Sequence, residues 1–330
     1  MTRLLVSISF AFCIVSSMPP ALAATTRSAS ALPGAETTSA LPAQPRLSAL
    51  SVLVLDEKTG SPLIIKNADM ETPIASISKL MTAMVILDAN QDMQEKIAVT
   101  NEDVDMLRHS SSRLAVGTVL TRGQLLHLAL IASENRAAHA LARHYPGGLG
   151  ACIQAMNQKA KTLGMQNTTF EDPTGLTSHN QSTAEDLAKM VKAAYAYPTI
   201  HQITTTAHYQ ITHTTLSRIR ERVQSRKQRH HKRQSTHIVW RSVTHEVAFN
   251  NTNQLVREGR WDIGLSKTGF INEAGHCLVM QANIARHKVI IVLLDAAGKY
   301  DRIRDAQRIR QWMESHLANN KVASAADYLP

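Results

Sequence analysis

Cysteine is scarce in this chain, with three among 330 residues. That count excludes a disulfide-built scaffold, and the lack of any Cys-x-x-Cys pair excludes the common zinc and thiol-redox motifs. Cys13 falls in the first apolar run, so Cys152 and Cys277 remain, as one bridge or as two buried free thiols. Long apolar runs are scarce too. Leu4–Val15 is nearly unbroken, but its twelve residues fall short of the ~20 that a spanning helix needs. Arg3 before it and Ala21-Leu22-Ala23 after it complete the pattern of a secretory signal, with cleavage expected after Ala23. No other stretch is apolar enough to cross a bilayer, so the mature chain is expected to be soluble outside the cytoplasm. Internal repeats are missing. So is His-Glu-x-x-His, despite fifteen histidines. His201, His208 and His213 lie near one another in sequence, as do His230 and His231, with no carboxylate to complete a ligand set. Neither a metal nor a cofactor is expected.

What is abundant is positive charge, and it is concentrated. The formal net charge is +10. Arg218, Arg220, Arg222, Arg226, Lys227, Arg229, Lys232, Arg233 and Arg241 face a single acid in the same stretch, Glu221. Without that stretch and Arg3 the chain is nearly neutral. A charge this local does not describe a protein that is basic throughout. It describes one basic segment, read here as an insertion between two strands that forms a solvated loop. The competing reading is a docking arm for an anionic envelope polymer over 217–241, driven by charge and sensitive to salt. Nucleic acid is not the partner expected in that compartment.

Residues 24–46 are rich in Ala, Ser, Thr and Pro and read as a flexible leader. Ala49–Leu55 and Pro62–Lys66 are strand-like runs around Asp56–Gly60, a hairpin turn. Ile77, Leu80, Met81, Met84 and Val85 have helical spacing over 76–87. Further helices are predicted over 123–132, 136–144 and 150–163. Ser182-Thr183-Ala184-Glu185 reads as a capping box opening a helix to Tyr195. Strands return over 263–270, 277–285 and 289–295, with Arg286-His287-Lys288 as a tight hairpin, and a last amphipathic helix covers 299–317. Strands at both ends with helices between them predict an α+β fold, one sheet built from both ends of the domain.

Three short motifs carry chemistry. Ser76-Ile77-Ser78-Lys79 sets a hydroxyl and an amine three apart at a helix start, where both share one face. A lysine held neutral by burial and nearby cations can take the serine proton. Ile74, Ala75, Leu80 and Met81 surround the pair and argue that Lys79 is buried. Ser133-Glu134-Asn135 interrupts two apolar helices. That is either a helix cap or the polar wall of a site. Lys267-Thr268-Gly269 lies in a strand, where a glycine marks close approach of another backbone or a ligand. Two look-alikes are set aside as structural. Lys58-Thr59-Gly60 sits in a hairpin turn ahead of the serine, and Ser178-His179-Asn180 sits in a loop without flanking helices.

Ser-x-x-Lys, Ser-x-Asn and Lys-Thr-Gly, in that order, resemble the penicillin-binding proteins and active-site serine β-lactamases. The resemblance is closest to the low-molecular-mass serine D-alanyl-D-alanine peptidases, with supporting runs at Asp172-Pro173-Thr174-Gly175-Leu176 and Asn251–Val256. It implies a β-lactamase/transpeptidase-like fold, an antiparallel sheet flanked by helices with a helical subdomain. The catalytic domain would span 47–320, its helical part about 76–196, with a basic insertion about 214–243 and a tail over 321–330. It implies Ser76 as nucleophile, Lys79 as base, and Ser133 and Asn135 as proton relay and substrate holder. Lys267 and Thr268 would bind a carboxylate, beside Gly269. The backbone N–H groups of Ser76 and Phe270 would form the oxyanion hole, while Glu134 points away with no role. The expected partners are peptidoglycan stems and β-lactams, in the periplasm, with no membrane anchor. The short C-terminus resembles the endopeptidase type, with a carboxypeptidase or a non-catalytic binder as alternatives. A β-lactamase is disfavoured for want of a deacylation segment.

Overall fold

The strands in chain order are β1 (Ser51–Asp56), β2 (Pro62–Lys66), β3 (Thr72–Pro73), β4 (Lys96–Ala98), β5 (Val119–Thr121), β6 (Gln181–Ser182), β7 (His208–Val223), β8 (Ser235–Asn250), β9 (Asp262–Ile271), β10 (Gly275–Ile284) and β11 (His287–Ala296). The helices are α1 (Lys79–Asp88), α2 (Arg122–Ile131), α3 (Asn135–Arg143), α4 (Gly148–Thr162), α5 (Ala184–Tyr195), α6 (Pro198–Thr204), α7 (Gln254–Glu258) and α8 (Asp301–Ala326). This is a computed structural model that describes residues 44–223 and 235–326, with 213–223, 235–237, 240, 242 and 317–326 as backbone alone. The signal expected at 1–23 and nearly all of the leader lie outside the described residues.

The main sheet is antiparallel throughout, in the order β2-β1-β11-β10-β9. The α+β reading holds, and so does the expectation that one sheet joins both ends of the domain. Val289–Leu294 is a continuous apolar run because both faces of β11 are covered. Ile290, Val292 and Leu294 face a core shared with α1, α2 and α5. Val289, Ile291 and Leu293 face a second core with Ile303, Ala306, Ile309 and Met313 of α8. The period of two along the strand sorts neighbours to opposite layers. Just ahead of β1 Asp305, fully buried, accepts hydrogen bonds from Ser48 N (2.8 Å) and Ala49 N (2.8 Å), tying the first residues of the domain to its last helix.

α1 has no polar side. Lys79 through Ile86 are all buried, and a helix apolar all round belongs in a core. It packs among α2, α3, α4 and α5, and the alanines of α3 (Ala137, Ala138, Ala140, Ala142) are buried against it and its neighbours.

Several boundaries differ from the sequence reading. The cap of α5 is Thr183, whose side chain accepts from Asp186 N at 3.1 Å, one residue later than the Ser182 and Glu185 expected. Ser182 is occupied elsewhere, in the β3–β6 pair and in a hydroxyl bond with Thr168 (2.8 Å). The β10–β11 hairpin turns on Ala285 and Arg286, both at positive φ (50° and 72°). This is the two-residue connection whose twist matches the strands, so His287 and Lys288 already belong to β11. α8 continues past Leu317 to Ala326, into the segment read as a tail.

The largest correction is the basic insertion. Over its described residues it is no loop: β7 and β8 pair in unbroken register from His208↔Asn250 to Val223↔Ser235, a ribbon of two 16-residue strands, while 224–234, with Arg226, Lys227, Arg229, Lys232 and Arg233, lie outside the described residues. Its root is anchored, with Ile211 and Phe249 buried and Tyr209 stacked on His127 of α2 at 4.5 Å.

Candidate active site

Residues Ala75–Ser78 form a 3-10 turn that runs into α1. In such a turn side chains three apart eclipse, which sets Lys79 directly over Ser76. Ala75 holds φ at 48°, a left-handed conformation that costs an alanine on the order of 1–3 kcal/mol. Two glycines allow it. A Cβ on Gly175 would lie 1.9 Å from Ala75 O, and one on Gly269 would lie 2.8 Å from Ile74 O and 3.2 Å from Ser76 N. The glycine of Lys-Thr-Gly therefore marks the close backbone approach that its place in a strand implied, and it brings the start of Phe270 beside Ser76 N.

Lys79 Nζ donates to Ser76 Oγ (2.8 Å), Asn135 Oδ1 (2.7 Å) and Thr174 O (2.6 Å). Those three bonds match the donors of one ammonium. Burial brings its pKa down to about 8, against the opposing pull of Asp172, Glu134 and Asp105. A lysine in that range has a substantial neutral fraction near neutrality and can accept a proton from the hydroxyl it touches. Asn135 is fixed in turn, donating to Ser110 Oγ at 2.9 Å.

Ser133 sits in the break between α2 and α3 at φ 59°, with Glu134 N donating back to Leu128 O (3.1 Å). The strained turn sends its hydroxyl to Lys267, whose Nζ donates to Ser133 Oγ (2.8 Å) and to Thr268 O (2.8 Å). Burial, then the positive charges of Lys79 and Arg302, hold the Lys267 pKa well below the lysine value. Thr268 Oγ1 donates to Thr252 Oγ1 at 2.7 Å. Glu134, expected to point away with no role, bears on the site through its charge. It is 8 % exposed and close enough to act on the Lys79 charge.

All the sequence-predicted residues thus meet in one cleft: Ser76, Lys79, Ser133, Asn135, Lys267, Thr268, Gly269 and Phe270. Others were not singled out. Thr174 supplies the carbonyl that Lys79 binds, and its loop is braced by Asp172, which accepts from Gly175 N (2.8 Å) and Thr177 N (3.0 Å). The signal was Asp-Pro-Thr-Gly itself, with a glycine at φ 78°. Arg302 is buried and donates to Gly269 O (2.9 Å) and Cys277 O (3.0 Å); nothing in an amphipathic helix pattern distinguishes it from its neighbours. The look-alikes are structural. Asp56 Oδ1 caps the Lys58–Gly60 turn, and buried Asn180 accepts from Glu171 N (2.7 Å) and donates to Ser78 Oγ (2.9 Å).

Phe270, half exposed and stacked on His276 at 4.3 Å, divides the cleft. On one side lies a cavity of about 580 Å³ with Ser76, Ser133, Thr252, Thr268 and Arg302 in its lining. On the other lies one of about 470 Å³ that also reaches Ser76, lined by Arg108, Ser110, Asn135 and Gly175. Arg108 crosses that second side to Glu273 at 2.9 Å. Cys152 and Cys277 are free and buried, their pKa values pushed up by burial to about 12 and about 11. Among the described residues no cluster of His, Cys, Asp or Glu could hold a metal ion, and no helix is long and apolar enough to cross a membrane.

A family model described as D-alanyl-D-alanine carboxypeptidase matches residues 37–298. The D-alanyl-D-alanine endopeptidase of Pseudomonas aeruginosa is 41% identical over 288 residues, covering 87% of this chain and 84% of that protein. Among solved structures, the Streptomyces K15 DD-transpeptidase superposes with a TM-score of 0.68 at 27% identity, over 82% of this chain and 98% of its own. Penicillin-binding protein D2 of Listeria monocytogenes, in its ampicillin-bound form, superposes with a TM-score of 0.62 at 26% identity, over 81% of this chain and 97% of its own.

Proposed function

This chain belongs to the D-alanyl-D-alanine carboxypeptidase family of serine peptidases, and we propose that within it the protein is an endopeptidase that hydrolyses D-alanyl cross-links of peptidoglycan in the periplasm. The observation that carries the reading is the 2.8 Å bond from a buried, pKa-lowered Lys79 to Ser76 Oγ. The preference for cross-links rests on the relative at 41% identity that bears the endopeptidase name.

In this reading neutral Lys79 takes the Ser76 proton as Oγ attacks the D-alanyl carbonyl. The oxyanion sits between the N–H groups of Ser76 and Phe270, each such donor being worth roughly 3–4 kcal/mol. The carbon–nitrogen bond breaks and the leaving amine takes its proton from Lys79 by way of Ser133. Water then attacks the Ser76 ester with Lys79 again as base, releasing the acid and the free hydroxyl. Asn135 fixes the Lys79 amine and the substrate amide. Lys267, Thr268 and Arg302 hold the carboxylate beside the leaving amine. A β-lactam, an acylating mimic carrying one carboxylate, would enter the same path. The basic ribbon β7–β8 is a docking arm for an anionic envelope polymer, a reading supported by its charge run.

Purified sacculi and a cross-linked muropeptide dimer, digested and read by chromatography, test the choice of bond. Loss of dimers with release of monomers is expected. Loss of pentapeptide stems with dimers intact would assign the protein to terminal D-alanine trimming instead.

A further inference from the structure

The cavity on the Arg302 side of Phe270 is larger and more basic than one terminal alanine needs. At about 580 Å³ it falls in the range that holds drug-sized ligands. Its lining includes three cations, Arg257, Lys299 and Arg302, and no Asp or Glu. Arg302 stands at the inner end, bonded to Gly269 O beside Ser76. It suffices for the single carboxylate that a terminal D-alanine carries. Arg257 comes from a separate element, α7, and is held rather than loose. Its guanidinium donates to Asn251 O, and Asn251 is itself buried and pinned by bonds from its Nδ2 to Thr204 O (2.9 Å) and Thr206 O (3.0 Å). Asn253 caps the helix by accepting from Leu255 N at 3.0 Å. An exposed guanidinium anchored at one backbone carbonyl, in a cavity whose lining has no carboxylates, is arranged for an anion from outside.

The two substrates differ in the number of such anions. When a terminal residue leaves, it carries one carboxylate. When a cross-link is cut, the leaving group is a whole stem, with one carboxylate beside the departing amine and others further along. We infer that Arg257 binds a second carboxylate of the leaving stem, so that the wall formed with Lys299 selects a peptide stem over a single D-alanine as leaving group. The inference rests on the endopeptidase reading and names the residue that enforces it. Arg257 acts on binding and takes no part in proton transfer.

The test compares kcat and KM for a cross-linked muropeptide dimer and for a monomeric pentapeptide, in the native enzyme, R257A and R257K. R257A is expected to raise KM for the dimer roughly tenfold with kcat little changed. It should change the pentapeptide far less, and R257K should recover part of the loss. A dimer whose leaving stem has its distal carboxylates amidated should bind the native enzyme as weakly as the unmodified dimer binds R257A. If R257A does not fold, that substrate decides alone. Equal effects of R257A on both substrates, or full affinity for the amidated dimer, would overturn the assignment while leaving the endopeptidase reading in place. Native enzyme that trims pentapeptide and leaves the dimer uncut would overturn that reading, and this inference with it.

Discussion

Lys79 is a buried amine whose charge is opposed by burial and supported by three acceptors and by the acids around it. The sign of its pH dependence follows. The neutral form is the base, and it is populated as pH rises through about 8. Acylation by a β-lactam should therefore accelerate with pH, falling about tenfold per unit well below pH 8 and levelling off above it. Stopped-flow rates between pH 6 and 9 would check this, and a rate flat across that range would remove Lys79 from the role. Gly175 gives a second residue-scale expectation. With φ at 78° and Ala75 O 1.9 Å from any added Cβ, G175A must displace either the nucleophile turn or the Thr174 carbonyl. A loss of roughly 3 kcal/mol in urea unfolding is expected, together with slowed acylation, and a fully stable, fully active variant would contradict the packing.

At the scale of elements, much was readable because its period was clean. α1 and the central strands carry apolar runs whose length and spacing leave little choice, and Gly269 announced close contact from within a strand. The ribbon was misread because its charge drew attention from its alternation. Arg218, Arg220 and Arg222 alternate with Ile219, Glu221 and Val223, and Ile238-Val239 and Val243-Thr244 lie on the returning strand. Those β-branched residues favour a pleated ladder. Arg302 was not readable, since it is one of several arginines along an amphipathic helix, and while Asp-Pro-Thr-Gly marked its loop, the part of Thr174 stayed hidden because it contributes a backbone carbonyl. The ribbon also permits a clean test of docking, because Ser217 and Arg241 are register partners. Deleting 217–241 leaves Leu216 and Ser242 as a two-residue turn and closes the ladder at Thr215↔Val243. The shortened protein should keep its rate on a soluble dimer and lose salt-sensitive binding to sacculi. Unchanged binding at low salt would sink the docking role.

Within the described residues, the catalytic domain is tied together where its first residues meet its last helix. Asp305 in α8 receives the backbone N–H groups of Ser48 and Ala49 at the start of the domain, and α8 also carries Arg302 to the cleft. D305A leaves the buried Ala49 donor unmet and frees the exposed Ser48, and should cost roughly 1–3 kcal/mol, measured as a lower midpoint in denaturant. The same closure brings one segment near the start of the domain (Ser76, Lys79), one from its helical middle (Ser133, Asn135) and one near its end (Lys267, Arg302) to a single serine. That convergence is the core of the functional account, and mass spectrometry of the intact protein after exposure to benzylpenicillin tests it most directly. One covalent adduct is predicted, on the peptide containing Ser76, and absent from S76A. An unmodified protein, or an adduct that persists in S76A, would contradict it.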